Sequence, residues 1–291
     1  MRETKIALGT AQFGLDYGIS NTRGRVSQIA VENILRSAHG SGIDTLDTAI
    51  NYGTSEEVLG IAGVQDWNVV SKLPSIPDNC KDVEAWIVDQ VLRSIEKLKI
   101  KSLYALLLHE PNQVFSEFGG LLIQALERLK LDGFIKNIGI SIYDPSELDN
   151  LYDLCPIDVL QVPLNILDRR AEDSYMIQRL HKQGCEIHVR SVFLQGLLLM
   201  HTETRPEKFD KWNFIWKELD DWLISNNISR LEACLSSALS WPLADKVIVG
   251  VTSLAELDEI LDATTKSNLK IPTNLKTTDL NLITPSLWET K

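Results

Sequence analysis

"DTLDTAINYG", residues 44–53, runs from a short apolar segment into a polar turn. The apolar part, "TLDTA" 45–49, is too short for a helical stripe and suits a strand. Asp47 stands where that strand should end, and Tyr52 follows five residues later. Outward from this segment the same kind of run recurs. "KIALGT" 5–10 precedes it. "NVVSKL" 68–73, "LYALLLH" 103–109, "NIGIS" 137–141, "VLQVPL" 159–164, "EIHVRSVF" 186–193 and "KVIVGV" 246–251 follow it. Near-continuous runs of Val, Ile and Leu are what strands buried on both faces of a parallel sheet require.

Longer amphipathic stretches separate these runs. "SQIAVENILRSAHGSG" 27–42 places Ile29, Ile34, Leu35 and Ala38 on one stripe, with Ser27 as N-cap and Gly40 or Gly42 as the stop. "DVEAWIVDQVLRSIEKLK" 82–99 starts on Asp82 and ends in lysines, as the helix dipole favours. "FGGLLIQALERLKLDG", "RRAEDSYMIQRLHKQG", "DKWNFIWKELDDWLISNN" and "LAELDEILDATTK" have the same character. This alternation predicts an α/β fold, a single (β/α)8 TIM barrel over residues 1–291. A doubly wound sheet is the alternative. It calls for GxGxxG after its first strand, and "GTAQFG" 9–14 is spaced differently. The last twenty residues, from Pro272, read as a tail laid over the barrel, with Trp288 as its anchor.

Composition narrows the function. The formal net charge is −11 and no basic cluster occurs, which excludes a phosphate-backbone interface and hence a nucleic-acid partner. The longest apolar stretches are too short to span a bilayer, and "MRETKIALG" has no signal-peptide h-region. Cys80, Cys155, Cys185 and Cys234 lie far apart without a CxxC pair, so reduced cytoplasmic thiols are expected and no metal site.

Barrel chemistry sits at the carboxyl ends of the strands. Asp47, Tyr52, Lys72 and His109 all fall there. A free phenol with a pKa near ~10 is a poor proton donor at neutral pH. A lysine ammonium beside it favours the phenolate, and an aspartate lessens the cost of burying that ammonium. His109 can hydrogen-bond a substrate oxygen. A structural reading stands beside this one: an aspartate at a strand end is commonly a cap, and a histidine ending a strand commonly a satisfied core residue.

These segments resemble the aldo/keto reductase superfamily along nearly the whole chain. The resemblance rests on "LGTAQFG" 8–14, "GIDTLDTAINYGTSEEVLG" 42–60, "SKL" 71–73, "LLLH" 106–109, "NIGIS" 137–141, "QVPLN" 161–165, "SVFLQGLL" 191–198 and "VIVGVTSLAELDEI" 247–260. It implies a nicotinamide-dependent oxidoreductase that reduces an aldehyde or ketone, for example a sugar-derived carbonyl. The catalytic tetrad would be Asp47, Tyr52, Lys72 and His109, with Tyr52 as general acid. The cofactor would be NADP as NADPH, with NAD as the alternative. It would lie against Gly9, Thr10, Asp47, Ser141, Gln161, Arg190, Ser191, Phe193, Gln195, Gly196, Gly250, Thr252, Ser253, Glu256 and Glu259. Ser141 and Gln161 would hold the carboxamide, the "SVFLQG" loop would cover the pyrophosphate, and "GVTSLAELDE" would hold the adenosine end.

The sequence departs from the family pattern at four places. The N-terminal β-hairpin plug is absent, Ile142 stands where asparagine is common, and Arg190 stands where an aromatic stacks on the nicotinamide. Glu256 replaces a basic or amide residue at the 2′-phosphate end. Phe13, Tyr17, Phe193, Trp212, Trp216 and Trp288 are expected to wall the substrate pocket, although "WNFIWKELDDWLI" also reads as core. A monomer or small homo-oligomer acting on a small carbonyl compound follows. Two other readings are a slow or non-catalytic nicotinamide-binding subunit, and a lyase or isomerase using Lys72 as a Schiff base.

Overall fold

Period-two alternation along the strands decides which side chains enter the centre of the molecule. The computed structural model describes residues 4–264, 269 and 271–288. Its strands are β1 (Ile6–Gly9), β2 (Thr45–Asp47), β3 (Asn68–Leu73), β4 (Leu103–Leu108), β5 (Ile135–Ser141), β6 (Val159–Pro163), β7 (Glu186–Arg190) and β8 (Lys246–Gly250). They pair in chain order and β8 returns to β1, which closes an all-parallel barrel. Val70, Ala105, Leu107 and Val159 form a small cluster apart from the main core. It is what the inward face of β3, β4 and β6 presents. Two residues further along each of these runs stand Lys72, His109 and Gln161, so the same alternation carries them inward at the barrel mouth.

The main helices are α1 (Gln28–Gly40), α2 (Ser55–Ala62), α3 (Val83–Leu98), α4 (Gly119–Leu131), α5 (Tyr175–Lys182), α6 (Asn213–Asn226), α7 (Arg230–Leu239) and α8 (Leu254–Thr264). The Ser27 hydroxyl accepts from the Ala30 N–H and the Asp82 carboxylate from the Ala85 N–H, as expected of both caps. One detail of α1 differs. Val31, Ile34, Leu35 and Ala38 are buried, whereas Ile29 is 73% exposed. Five residues at 3.6 per turn put Ile29 about 140° around from Ile34, off the buried face. Sequence periodicity passed over α2 and α7. α2 is only two turns long, and α7 is announced by a capping box of Ser229 and Glu232 rather than by a long stripe. Between β5 and β6 the crossover shrinks to turns at Pro145–Glu147 and Leu148–Leu151.

The C-terminal segment lies over the barrel as expected. The Thr277 N–H donates to the Leu167 carbonyl, and the Trp288 indole donates to the Leu282 carbonyl while its ring meets Phe209 edge to face. The hairpin expectation concerns residues 1–3, and the predicted end of the last helix residues 265–266. Both lie outside the described residues.

Candidate active site

Strand register assembles the floor of the site. Asp47 ends β2 with Gly9 of β1 beside it, and Ser141 pairs with Gln161 across β5 and β6. Lys72 and Asp47 are buried, 1% and 5% exposed. The Lys72 ammonium donates to Asp47 Oδ2 at 2.7 Å and to the Thr48 carbonyl at 2.8 Å. The Gln161 amide donates to the other Asp47 oxygen at 2.6 Å, and the Ser141 hydroxyl donates to Gln161 Oε1 at 3.3 Å. Each polar atom of this chain meets a partner on another strand, which is what keeps a buried ion pair from costing more than it returns.

Tyr52 reaches the floor from the turn after β2. Its ring lies beneath the ammonium, with Lys72 Nζ 5.1 Å from the ring centroid, and meets the His109 ring edge-on at 6.1 Å. The turn is fixed by close backbone approach. A Cβ on Gly14 would stand 1.9 Å from the Tyr52 carbonyl oxygen, and Gly53 has φ +57°, a conformation that favours glycine.

Burial and the Asp47 carboxylate push the Tyr52 phenol above its ordinary value, while the Arg190 guanidinium pulls it down. Lys72 is held below its ordinary value by burial, against the pull of Asp47. The sequence predicts that Lys72 draws the phenol down; instead burial and Asp47 hold it up, and the opposing cation is Arg190. Burial, with Lys72 and Arg190 nearby, pushes the His109 imidazole down to about 4. At neutral pH His109 is uncharged and offers one ring N–H.

All four residues line one cleft of about 580 Å³. Gly9, Thr10, Ser141, Gln161, Arg190, Ser191, Phe193, Gln195, Gly196, Gly250, Thr252 and Glu256 line it too. Glu259 lines an adjoining cleft of about 900 Å³ that shares Phe193, Leu199, Gly250 and Glu256 with the first. Ser253 lines neither: its hydroxyl accepts from the Glu256 N–H at 3.3 Å. Of the six aromatic residues expected to wall the substrate, Tyr17 and Phe193 do so. Phe13 is fully buried, Trp212 ends the 207–212 turn and meets Phe209, the Trp216 indole donates to the Phe209 carbonyl, and Trp288 meets Phe209 edge to face. Their spacing on α6 and its leading turn is a core stripe. Tyr143 escaped the sequence reading. It follows Ile142 after β5, and Arg190 stacks on it at 4.5 Å.

The loop after β7 carries local backbone strain. Ser191, Leu194 and Gln195 have φ of 61°, 48° and 55°. Such conformations persist only when surroundings impose them. Here the Asn165 amide donates to the Ser191 carbonyl, and the Ile19 N–H to the Gln195 carbonyl.

The match of the aldo/keto reductase family model to residues 5–273 decides the kinship. The chain belongs to the aldo/keto reductase family. "Uncharacterized oxidoreductase YqkF" of Bacillus subtilis (strain 168) is 25% identical over 259 residues, 79% of this chain and 81% of that protein. "Aldo-keto reductase YhdN" of the same organism is 26% identical over 187 residues, 60% of this chain and 54% of that one. Among solved structures, the holo form of aldo-keto reductase AKR11C1 from Bacillus halodurans superposes with a TM-score of 0.73 at 20% identity, covering 93% and 89% of the two chains. Glycerol dehydrogenase AKR11B4 from Gluconobacter oxydans gives 0.69 at 21% identity, covering 94% and 89%. These likenesses fix the (β/α)8 fold. The family makes the chain an oxidoreductase of the nicotinamide-using kind.

The residues present fit such a cofactor. The two clefts adjoin through the shared Phe193, Leu199, Gly250 and Glu256, room that an elongated two-part ligand can use. Gln12 Oε1 is buried and has no hydrogen-bond partner among the described residues, although Gln12 lines the first cleft; it is an acceptor waiting for a donor. Among the described residues no helix is long and apolar enough to cross a membrane.

Proposed function

We propose that the chain reduces an aldehyde or ketone to an alcohol, with Tyr52 as general acid. The observation that carries this reading is the convergence of Asp47 and Tyr52 from the end of β2, Lys72 from β3 and His109 from the end of β4 into one cleft. A bound nicotinamide supplies the hydride. Tyr52 Oη holds the proton that the carbonyl oxygen takes up as charge develops on it. Neutral His109 donates a hydrogen bond to that oxygen and orients it. Lys72 keeps positive charge against the phenol ring, and Asp47 with the Thr48 carbonyl keeps the ammonium in place. Gln161, tied to Asp47 and Ser141, would hold the carboxamide. Lys72 is sealed by its two hydrogen bonds, which disfavours the Schiff-base reading.

The family resemblance favours NADPH, with NADH as the alternative. The Glu256 carboxylate accepts from the Thr252 N–H and hydroxyl, each at 2.7 Å, and so uses the donors that a 2′-phosphate would want. The preference for NADPH is therefore small. A small-molecule carbonyl substrate, a cytoplasmic place of action, and a monomer or small homo-oligomer complete the proposal. The test is Tyr52→Phe, which should lower carbonyl reduction by about 10²–10⁴-fold, the scale of general acid catalysis. Cofactor affinity, read by fluorescence titration, should stay the same. Near-normal turnover removes Tyr52 from the mechanism.

A further inference from the structure

The charges along the cleft do not cancel. Lys72 is neutralised by Asp47, and His109 is uncharged at neutral pH. Glu256 is occupied at the far end by Thr252. Arg190 differs. Arg93, Arg128, Arg169, Arg170 and Arg230 each meet a carboxylate. The partners of Arg190 are neutral: its Nη1 donates to the Ser191 hydroxyl at 3.1 Å, its Nη2 to the Ile142 carbonyl at 3.0 Å, and its face rests on Tyr143. A guanidinium carries five N–H groups in a fixed plane, so this clamp leaves donors over and holds them rigid. Arg190 lines the same cleft as Tyr52, Tyr17, Lys72 and His109, which places its charge at the candidate reacting centre. Arg205 also has neutral partners, the Met200 carbonyl and the Trp216 ring, but only Arg190 of the two lines the cleft. In a chain of net charge −11, a half-buried guanidinium that lines a cleft without a carboxylate partner is a site for an anion.

We propose that the substrate carries a carboxylate in addition to its carbonyl group and that Arg190 receives it, with Tyr143 as the backing plane. This rests on the reading of the chain as a carbonyl reductase and narrows its substrate class. The pyrophosphate of the cofactor is the other possible source of an anion in the cleft. A second arginine answers to it. Arg23 lines the cleft on an exposed loop whose Ile19 N–H is bonded to Gln195, in the segment expected to cover the pyrophosphate. Two cations thus face two anions, one at the rim and one near Tyr52.

The experiment compares benzaldehyde with 4-carboxybenzaldehyde, equal in ring and carbonyl, as the ratio of their kcat/KM values. The native protein should prefer the carboxylate. Arg190→Met should lower the ratio by about 10- to 150-fold, the scale of a charge-assisted hydrogen bond, and Arg190→Lys should recover only part of it. Arg23→Ala should weaken cofactor binding and leave the ratio unmoved. An unchanged ratio in Arg190→Met together with weakened NADPH binding assigns Arg190 to the pyrophosphate and overturns the proposal. Calorimetry with benzoate keeps the test independent of turnover: the native protein should bind it in the presence of NADP⁺, and Arg190→Met should not. Absence of benzoate binding to the native protein also overturns the proposal. Turnover of neither aldehyde, with benzoate binding intact, instead rejects the reductase reading and leaves the anion site standing.

Discussion

The two ends of the cleft hold their charges in opposite ways. At the floor, Asp47, Lys72, Gln161 and Ser141 come from four strands, and every bond crosses from one strand to another. At the far end, Glu256 bonds to Thr252 four residues earlier, within one loop and the first turn of α8. A cross-strand network fails as a unit, because removing one member leaves the others buried and unpaired. A local network can change one residue without disturbing the barrel. On the proposed function, the floor fixes the chemistry, and the far end is where this chain is free to tune its cofactor.

The floor should show the larger effects. The His109 imidazole sits at about 4, below its ordinary 6.5. Folding therefore resists its protonation, while the unfolded chain takes up the proton near its usual value. Stability from this group is present above about pH 6.5 and is lost as pH falls toward 4, by about 2–3 kcal/mol once its partial exposure is allowed for. His109→Gln should flatten this part of the denaturant-midpoint profile. An unaltered profile would show that the imidazole is not held neutral by the site.

The far end should give the smaller effect. Glu256→Arg removes two local hydrogen bonds and adds a cation. NADPH binding should tighten by about 1–2 kcal/mol through one charge-assisted contact, with NADH affinity little changed. Equal affinities before and after would mean that residue 256 does not face the ribose phosphate, and the contrast between the ends would lose its functional meaning.

The same contrast governs what sequence alone could reveal. β3 runs from Asn68 to Leu73 as its apolar segment predicts, and the other strands fall within a few residues of theirs. Buried parallel strands announce themselves as short Val/Ile/Leu runs, and a strand-end Asp, Lys or His in such a run is conspicuous. Tyr143 was not visible, because a tyrosine in the loop after β5 has no periodicity, and its role depends on Arg190 arriving from β7. Trp212 and Trp216 lie in the core, as the helical spacing also allowed, and Trp288 lies over Phe209 instead of walling the pocket. Large aromatics suit both a pocket wall and a core, and here helical spacing favoured the core. The Glu256–Thr252 bonds could be suspected from a four-residue spacing, but only the folded loop shows both donors taken.

The central claim is that Asp47 and Lys72 act as one device on Tyr52. A double-mutant cycle with Asp47→Asn and Lys72→Met, read as kcat with its pH profile in the oxidation direction, tests it most directly. Each single change should lower kcat and move the governing pKa upward: Lys72→Met removes the cation, and Asp47→Asn lets the buried Lys72 shed its proton, a loss that outweighs the relief from the carboxylate that itself raises the phenol. The double mutant should be little worse than either single, as for residues that work as a unit. Additive losses, or a pH profile that stays where it is, would contradict the account and separate the buried ion pair from the proton donor it is held to serve.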